Sequence, residues 1–304
     1  MSNSSTTFLQ QRIVLITGKG GVGKTTLSLC LARALARSGR KVLLTEPSTS
    51  DVDMPPLARL IGADPIADSP TPVTENLFYT PLLARVGHEL FLRSVIPTPT
   101  MIRAALRSKA VSRFLTAAPS LHEMGLFYHL LMLLERRSES NQFSYDHIIV
   151  DMPATGHALA LTQLPEILLR LIPKGPIAEA LRRGKTIIND PKQGTSWVVS
   201  LPQKLPVTES MELIEGLNAS DMHCSGVFLN MMPQFSFTER ESVLLREWCQ
   251  RFDWVGETVI SRSEQASEAR LRLAEELEMA VLEIPELNHL DDIESFFFER
   301  LSPC

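Results

Sequence analysis

The stretch from Arg12 to Gly39 constrains the fold of this chain more than any other part of it. "RIVLITG", residues 12–18, is a short run of β-branched residues ending in glycine, which is typical of a buried strand. "KTTLSLCLARALARSG" follows with helical periodicity and stops at Gly39, a residue suited to a helix C-terminus. "KVLLTEP", residues 41–47, predicts a second buried strand. Strand, helix and strand in this order predict a parallel, right-handed crossover unit.

Glycines fill the turn between that first strand and the helix. Residues 18–25 read "GKGGVGKT" and fit the pattern G-x-x-x-x-G-K-[ST] in the strand–loop–helix context that gives it meaning. Backbone N–H groups of such a loop surround phosphate oxygens, and the helix N-terminus adds partial positive charge. The pattern assigns Lys24 to the β- and γ-phosphates and Thr25 to Mg²⁺, so it predicts a site for ATP and Mg²⁺. The predicted phosphate contacts are Gly18, Lys19, Gly20, Gly21, Val22, Gly23, Lys24, Thr25 and Thr26.

Lys19 is a second lysine in a loop that needs only one. It stands one residue after the first glycine, where the loop turns away from its own γ-phosphate. Two interpretations are open: Lys19 is a solvated cation, or it reaches across a dimer interface and offsets phosphate charge in the partner site. The second interpretation predicts a nucleotide-dependent homodimer with Lys19, Lys24 and a water-orienting residue as its catalytic groups.

The rest of the chain alternates between short apolar runs and helical patterns. "YDHIIVDMPATGH" predicts a strand that ends in a loop at Asp151, and "TSWVVSL", "CSGVFLNMM" and "AVLEIPEL" predict three more strands. Helices are predicted around residues 209–217, 238–252 and 263–279. Thr238 with Glu241, and Ser261 with Glu264, have the spacing of a capping box. This alternation predicts a doubly wound, mostly parallel α/β sheet.

Proline crowding interrupts the pattern between residues 51 and 119, where we expect short, broken helices. The piece from Arg85 to Arg113 is locally basic, although the chain has a net charge of −5. We interpret residues of about 85–140 and 165–194 as helical insertions that form a subdomain of one P-loop domain spanning residues 1–304. Apolar residues of the first insertion predict either a client groove or ordinary helical core; they are Phe91, Leu92, Ile96, Met101, Ile102, Phe114 and Leu115.

Composition narrows the partners and the compartment. An acidic pI near 5.9 gives no global argument for nucleic-acid binding, so such a partner is not expected. The four cysteines are scattered and form no C-x-x-C pair, which predicts reduced thiols and argues against a cysteine zinc site within one chain. The first twelve residues lack the basic-then-apolar order of a signal peptide, and no apolar run is long enough to span a membrane. We expect a cytoplasmic protein.

With Lys19 present, the loop has the form K-G-G-x-G-K-[ST], the deviant Walker A loop, and the chain resembles the ArsA-like family of arsenite-pump and tail-anchored-protein-targeting ATPases. "TEPSTSDVD", residues 45–53, is similar to the first switch of that family, with Glu46 in place of its aspartate. The resemblance implies that Asp53 orients the attacking water and serves the metal site; Asp51 offers a second carboxylate nearby. "DMPATGHALALTQLP", residues 151–165, is similar to the second switch, which implies that Asp151 binds Mg²⁺.

Two later segments resemble the part of the family that contacts the base. "SGVFLNMMP" makes Asn230 the candidate adenine contact, and a turn-forming asparagine after a strand is the alternative. "EIPEL" is similar to the segment that closes over the base, which implies contacts from Ile284, Pro285 and Glu286.

Taken with the resemblance, the sequence predicts a Mg²⁺-dependent ATPase that acts as a dimeric switch and delivers a hydrophobic or membrane-protein client. A partitioning or positioning ATPase of the ParA/MinD kind, which binds DNA or membrane, is the alternative, and the basic segment after Arg85 favours it. An ATPase that inserts metallocentres is disfavoured by the absent C-x-x-C. For the same reason we do not expect the zinc clamp between subunits that the resemblance to tail-anchored-protein-targeting ATPases implies. A single phosphate loop and scattered cysteines also disfavour activation by arsenite.

Overall fold

Eight strands form a single sheet in the computed structural model, and six of them correspond to the strands predicted from the sequence. The structure describes residues 11–48, 54–96, 98, 100–101, 119–153, 165–170, 173–235, 237–252 and 256–301. The strands are β1 (Ile13–Gly18), β2 (Val42–Pro47), β3 (Thr71–Thr74), β4 (Leu77–Leu82), β5 (His147–Asp151), β6 (Gly194–Ser200), β7 (Cys224–Met232) and β8 (Ala280–Pro285). Their order across the sheet is β3-β4-β2-β5-β1-β6-β7-β8.

The predicted doubly wound, mostly parallel sheet is confirmed. Every neighbouring pair is parallel except β3 with β4. The strand β1 lies at the centre, where Ile16 is in register with Asp151 of β5 on one side and with Trp197 of β6 on the other. Strands β1, β5 and β6 are buried along their whole length, which explains the apolar runs at residues 13–16, 148–150 and 197–199.

Helices cover both faces of the sheet. Within the described ranges they are α1 (Lys24–Arg37), α2 (Pro56–Ile61), α3 (Ala84–Val95), α4 (Pro119–Glu135), α5 (Pro176–Asn189), α6 (Lys204–Ala219), α7 (Glu239–Phe252), α8 (Glu257–Glu276) and α9 (Leu290–Leu301). Val14 and Ile16 belong to the core beneath α1 and α9, whereas Ile13 and Leu15 belong to the core beneath α4 and α6. This alternation follows from the two-residue period of a strand. Each of these helices is too short or too polar to cross a lipid bilayer.

The expectation of broken helices throughout residues 51–119 is wrong for the β3–β4 hairpin. Pro72 lies in β3, at the edge of the sheet, and Pro81 lies near the end of β4. A proline without an N–H is tolerated at both kinds of position, so it does not exclude a strand there. Asn76, with φ of 63°, makes the tight turn between the two strands and was the signal for a hairpin.

The predicted helices of the insertions are present as α3, α4 and α5. A Cβ atom on Gly87 of α3 would lie 1.8 Å from the carbonyl oxygen of Gly125 in α4, so the missing side chains allow the two helices to touch. Phe91 packs edge-on against Tyr128, with ring centroids 5.4 Å apart, which favours the core interpretation for this residue. Ile102, Phe114 and Leu115 lie outside the described residues.

Helix ends agree with the sequence in two places and differ in one. Gly39 has φ of 87° just after α1, as a terminating glycine does. The capping box at Thr238 is confirmed, because its N–H donates to Glu241 Oε2 at 2.8 Å and its Oγ1 accepts from the Glu241 N–H at 3.3 Å. The capping box at Ser261 is wrong, because α8 begins at Glu257 and Ser261 lies inside it.

Candidate nucleotide site

The glycine-rich loop joins β1 directly to the first turn of α1, as its pattern predicts. Gly21 and Gly23 have φ values of 81° and 96°, a region that side chains rarely adopt. Gly23 is also close to β7, since a Cβ there would lie 2.5 Å from the Asn230 side-chain nitrogen. The loop shape therefore depends on glycine for both conformation and space.

The side chain of Lys24 folds back onto the earlier part of the glycine-rich loop. Its Nζ donates a hydrogen bond to the carbonyl oxygen of Lys19 at 2.7 Å. Burial lowers the pKa of the Lys24 ammonium, and the carboxylate of Asp151 opposes that shift. A cation that is partly desolvated and close to backbone N–H groups is suited to binding an anion.

Asp151 ends β5 beside this loop because β5 is the direct neighbour of β1. Its Oδ2 accepts a hydrogen bond from Thr25 Oγ1 at 2.7 Å, and its Oδ1 accepts one from Ser28 Oγ at 3.2 Å. Burial raises the pKa of Asp151 to about 6, although Thr25 and Lys24 act in the opposite direction. The structure thus brings together two of the three predicted metal ligands, a hydroxyl and a carboxylate, which are the oxygen donors that Mg²⁺ prefers.

Glu46 is a buried carboxylate near the carboxyl end of β2. The sequence indicated only that it replaces an aspartate of the family, and gave no sign of its contacts. Glu46 accepts hydrogen bonds from the backbone N–H groups of Leu57 and Ala58 at 3.0 and 2.9 Å and from the Tyr79 hydroxyl at 2.8 Å. Burial raises the pKa of Glu46 to about 7. Glu46 therefore holds the first turn of α2, just after the segment that contains Asp53, against the sheet.

These groups surround one cavity of about 340 Å³. Lys24, Thr25, Glu46 and Asp151 line it, together with Met54 and neighbouring residues. Its size is within the range of small-molecule sites in proteins. Asp53 itself, Asp51, and Thr155, Gly156 and His157 of the second switch lie outside the described residues, so the role of Asp53 stays a prediction.

The four predicted base contacts have different surroundings. Asn230 is buried within β7 and donates from Nδ2 to the carbonyl oxygen of Val22 at 2.9 Å, so the alternative of a turn after the strand is wrong. Ile284 is fully buried in the core, whereas Pro285 ends β8. Glu286 pairs with Arg262 at 2.7 Å. Their contacts with adenine stay predictions, and for Asn230 the structure shows a link to the phosphate loop.

The side chain of Lys19 forms an ion pair within its own subunit. Its Nζ lies 3.2 Å from Glu209 Oε1 of α6. No sequence signal indicated this partner, because Glu209 lies far along the chain on a helix with an ordinary pattern.

A glycine-rich loop after the central strand, a lysine at its end and a carboxylate on the adjacent strand define a P-loop nucleotide-binding protein. A family model described as anion-transporting ATPase matches residues 11–175, which is more than half of the chain. The protein belongs to this family, as the resemblance to ArsA-like ATPases predicted.

Individual relatives are similar over different shares of the chain. ATPase BagA of Mycobacterium tuberculosis is 30% identical over 227 residues, which cover 72% of this chain and 64% of the relative. ATPase GET3 of Kluyveromyces lactis is 23% identical over 272 residues, 79% of this chain and 77% of the relative. The arsenical pump-driving ATPase of Escherichia coli is 32% identical over 154 residues, 50% of this chain and 25% of the relative. The match thus spans less than two thirds of the mycobacterial relative's length.

Proposed function

We propose that this protein is a Mg²⁺-dependent ATPase that hydrolyses ATP to ADP and phosphate as a nucleotide-dependent homodimer. The observation that carries the proposal is the contact between Thr25 and Asp151 at 2.7 Å, directly beside the phosphate loop and Lys24. A hydroxyl, a carboxylate and an ammonium at the carboxyl edge of a parallel sheet are the groups that phosphoryl transfer from ATP requires.

Each group has a defined task in this proposal. Backbone N–H groups of the loop and Lys24 bind the phosphates, and Asp53 orients the attacking water. Thr25 and Asp151 would hold Mg²⁺, which supplies charge neutralisation at the phosphates. Lys19 of a second copy offsets the charge that develops on the γ-phosphate. Because catalysis of this kind is mostly positioning and electrostatics, hydrolysis is slow until two copies meet.

The dimer acts as a switch for a client in this proposal. Membership of the family, which the resemblance connects with the targeting of tail-anchored proteins, supports it. We propose a hydrophobic or membrane-associated protein as the client and the cytoplasm as the compartment. Cys30, Cys224 and Cys249, all buried as free thiols, are consistent with a reducing compartment.

Substitution of Lys19 tests the catalytic part of the proposal. Lys19→Ala is expected to lose ATP turnover while ATP binding survives, because Lys24 and the loop backbone remain. Turnover is measured by phosphate release and binding by a fluorescent ATP analogue. Lys204→Ala, an exposed lysine at the start of α6, is the matched control and should behave as the wild type. Wild-type turnover by Lys19→Ala would show that the cross-subunit role is wrong.

The client is tested separately from the chemistry. Asp53→Asn is expected to bind ATP without hydrolysing it, so clients should co-purify with it. Co-sedimentation with liposomes and with DNA, each with and without ATP, distinguishes the ParA/MinD alternative. ATP-dependent binding of the pure protein to either surface would contradict the delivery of a client.

A further inference from the structure

The ion pair with Glu209 holds the side chain of Lys19 against its own subunit. The two charged atoms are 3.2 Å apart, and 42% of the Lys19 side chain is exposed. An anion with a greater negative charge than the Glu209 carboxylate can therefore approach Lys19 from solvent. Since an ammonium makes its strongest contacts with one anion at a time, Glu209 and an approaching phosphate compete for it.

Glu209 is held in place by the fold rather than by a loose loop. It lies in the second turn of α6, whose other face is buried at Val207, Ser210, Leu213, Ile214 and Leu217. The helix packs on β6, and β6 is the neighbour of β1 in the sheet. Sheet order therefore fixes a carboxylate beside the loop that follows β1.

Lys19 also contacts the other loop lysine, through its backbone. The carbonyl oxygen of Lys19 accepts the hydrogen bond from Lys24 Nζ at 2.7 Å. Both lysines are thus engaged within one subunit: Lys19 with Glu209, and Lys24 with the loop backbone. A phosphate that draws Lys24 away removes the hydrogen bond between Lys24 and the Lys19 carbonyl oxygen.

We propose that Glu209 is a positioning residue that acts through Lys19: it retains Lys19 within its own subunit and must release it before Lys19 can contact a nucleotide on the second copy. This inference rests on the proposed function of Lys19 across the dimer. Because the ion pair must break when the dimer forms, it makes dimer formation less favourable. Because exposed ion pairs are weak and a homodimer breaks two of them, the effect is about two- to thirtyfold in the association constant.

The test measures ATP turnover per protomer over a range of protein concentrations. Glu209→Gln is expected to reach half-maximal turnover at a protein concentration about two- to thirtyfold lower than the wild type, with the maximal rate unchanged. Glu212→Gln and Glu215→Gln remove the same charge from exposed positions of α6 and should match the wild type. Reaction of Lys19 with an amine-acylating reagent, measured by mass spectrometry, should increase in Glu209→Gln only.

The outcomes separate this inference from the function on which it rests. If turnover per protomer is independent of protein concentration, the dimer is contradicted, and the role of Glu209 with it. If turnover depends on concentration but Glu209→Gln follows the wild-type curve or shifts to higher concentration, the role of Glu209 alone is overturned. Combination with Lys19→Ala is the last control: there, Glu209→Gln should no longer change dimerisation measured by analytical ultracentrifugation with ATP.

Discussion

Glycines serve opposite purposes in two regions of this molecule. In the phosphate loop, Gly21 and Gly23 adopt backbone angles that side chains avoid, and they shape a surface. Where α3 meets α4, Gly87 and Gly125 are ordinary helical residues, and the absence of a Cβ lets the backbones touch. The loop region is polar and is the proposed phosphate site, whereas the helical region is packed. We therefore expect substitutions in the phosphate loop to alter activity and substitutions at the contact between α3 and α4 to alter stability.

The largest expected effect tests the loop side of the comparison. Lys24→Ala should lower kcat/KM for ATP by about 100- to 1,000-fold, the cost of removing one charge-stabilising group. The free energy of unfolding should fall by no more than about 1 kcal/mol, because one hydrogen bond to Lys19 is lost. Steady-state kinetics and urea denaturation measure the two quantities. A large loss of stability in Lys24→Ala would break the comparison.

The next effect tests the helical side. Gly125→Ala should reduce the free energy of unfolding by about 1–3 kcal/mol, because overpacking forces the backbone to shift. The new Cβ would lie 2.6 Å from the carbonyl oxygen of Ala84 and 2.8 Å from His88 Nε2. Nucleotide affinity should remain at the wild-type value. Urea denaturation measures the first quantity and fluorescence titration the second.

The loop offers a matched control for that variant. A Cβ on Gly20 meets no atom within 4 Å, so Gly20→Ala should change the free energy of unfolding by less than about 0.5 kcal/mol. Equal stability of Gly125→Ala and Gly20→Ala would show that the helices do not depend on their glycine contact.

The next effect concerns Glu46, which lines the cavity of the candidate site but whose hydrogen bonds stabilise the fold. It therefore tests whether a polar group of the site can affect stability. The pKa of Glu46 is raised from 4.5 to about 7 in the folded protein, so between these pH values the folded form keeps a proton that the unfolded chain releases. The free energy of unfolding therefore falls as pH rises through this window, by up to about 3 kcal/mol from Glu46. Glu46→Gln should remove this part of the fall.

Thermal and urea unfolding between pH 4.5 and 7.5 measure the Glu46 contribution. Glu75→Gln, at an exposed position in the β3–β4 turn, is the control and should keep the wild-type pH dependence. A Glu46→Gln curve parallel to the wild-type curve would show that Glu46 does not keep its proton in the folded protein.

Much of the fold was predictable because short apolar runs are bounded by glycine or proline and alternate with helical patterns. The exceptions were β3 and β4, where Pro72 and Pro81 suggested broken helices although both occupy positions that strands tolerate. The turn residue Asn76 was a weaker signal than the prolines around it.

The candidate site was predictable where a local motif encodes it. The loop, Thr25 and Asp151 follow from patterns with a fixed mechanism, and the structure places the last two in contact. The contacts of Glu46 and Glu209 were not predictable, because their partners come from distant parts of the chain and only the sheet order brings them together. A buried carboxylate that caps a helix and one that pairs with a lysine have no sequence pattern of their own.

The placement of Pro72 in β3 has a consequence for how the protein behaves at high concentration. An edge strand exposes unpaired backbone groups that can recruit a strand from another molecule and start aggregation. The edge at β3 is only four residues long and contains a residue without an N–H, so it offers an incoming strand little to pair with. The proline that obscured this strand in the sequence thus protects the sheet from growing beyond it.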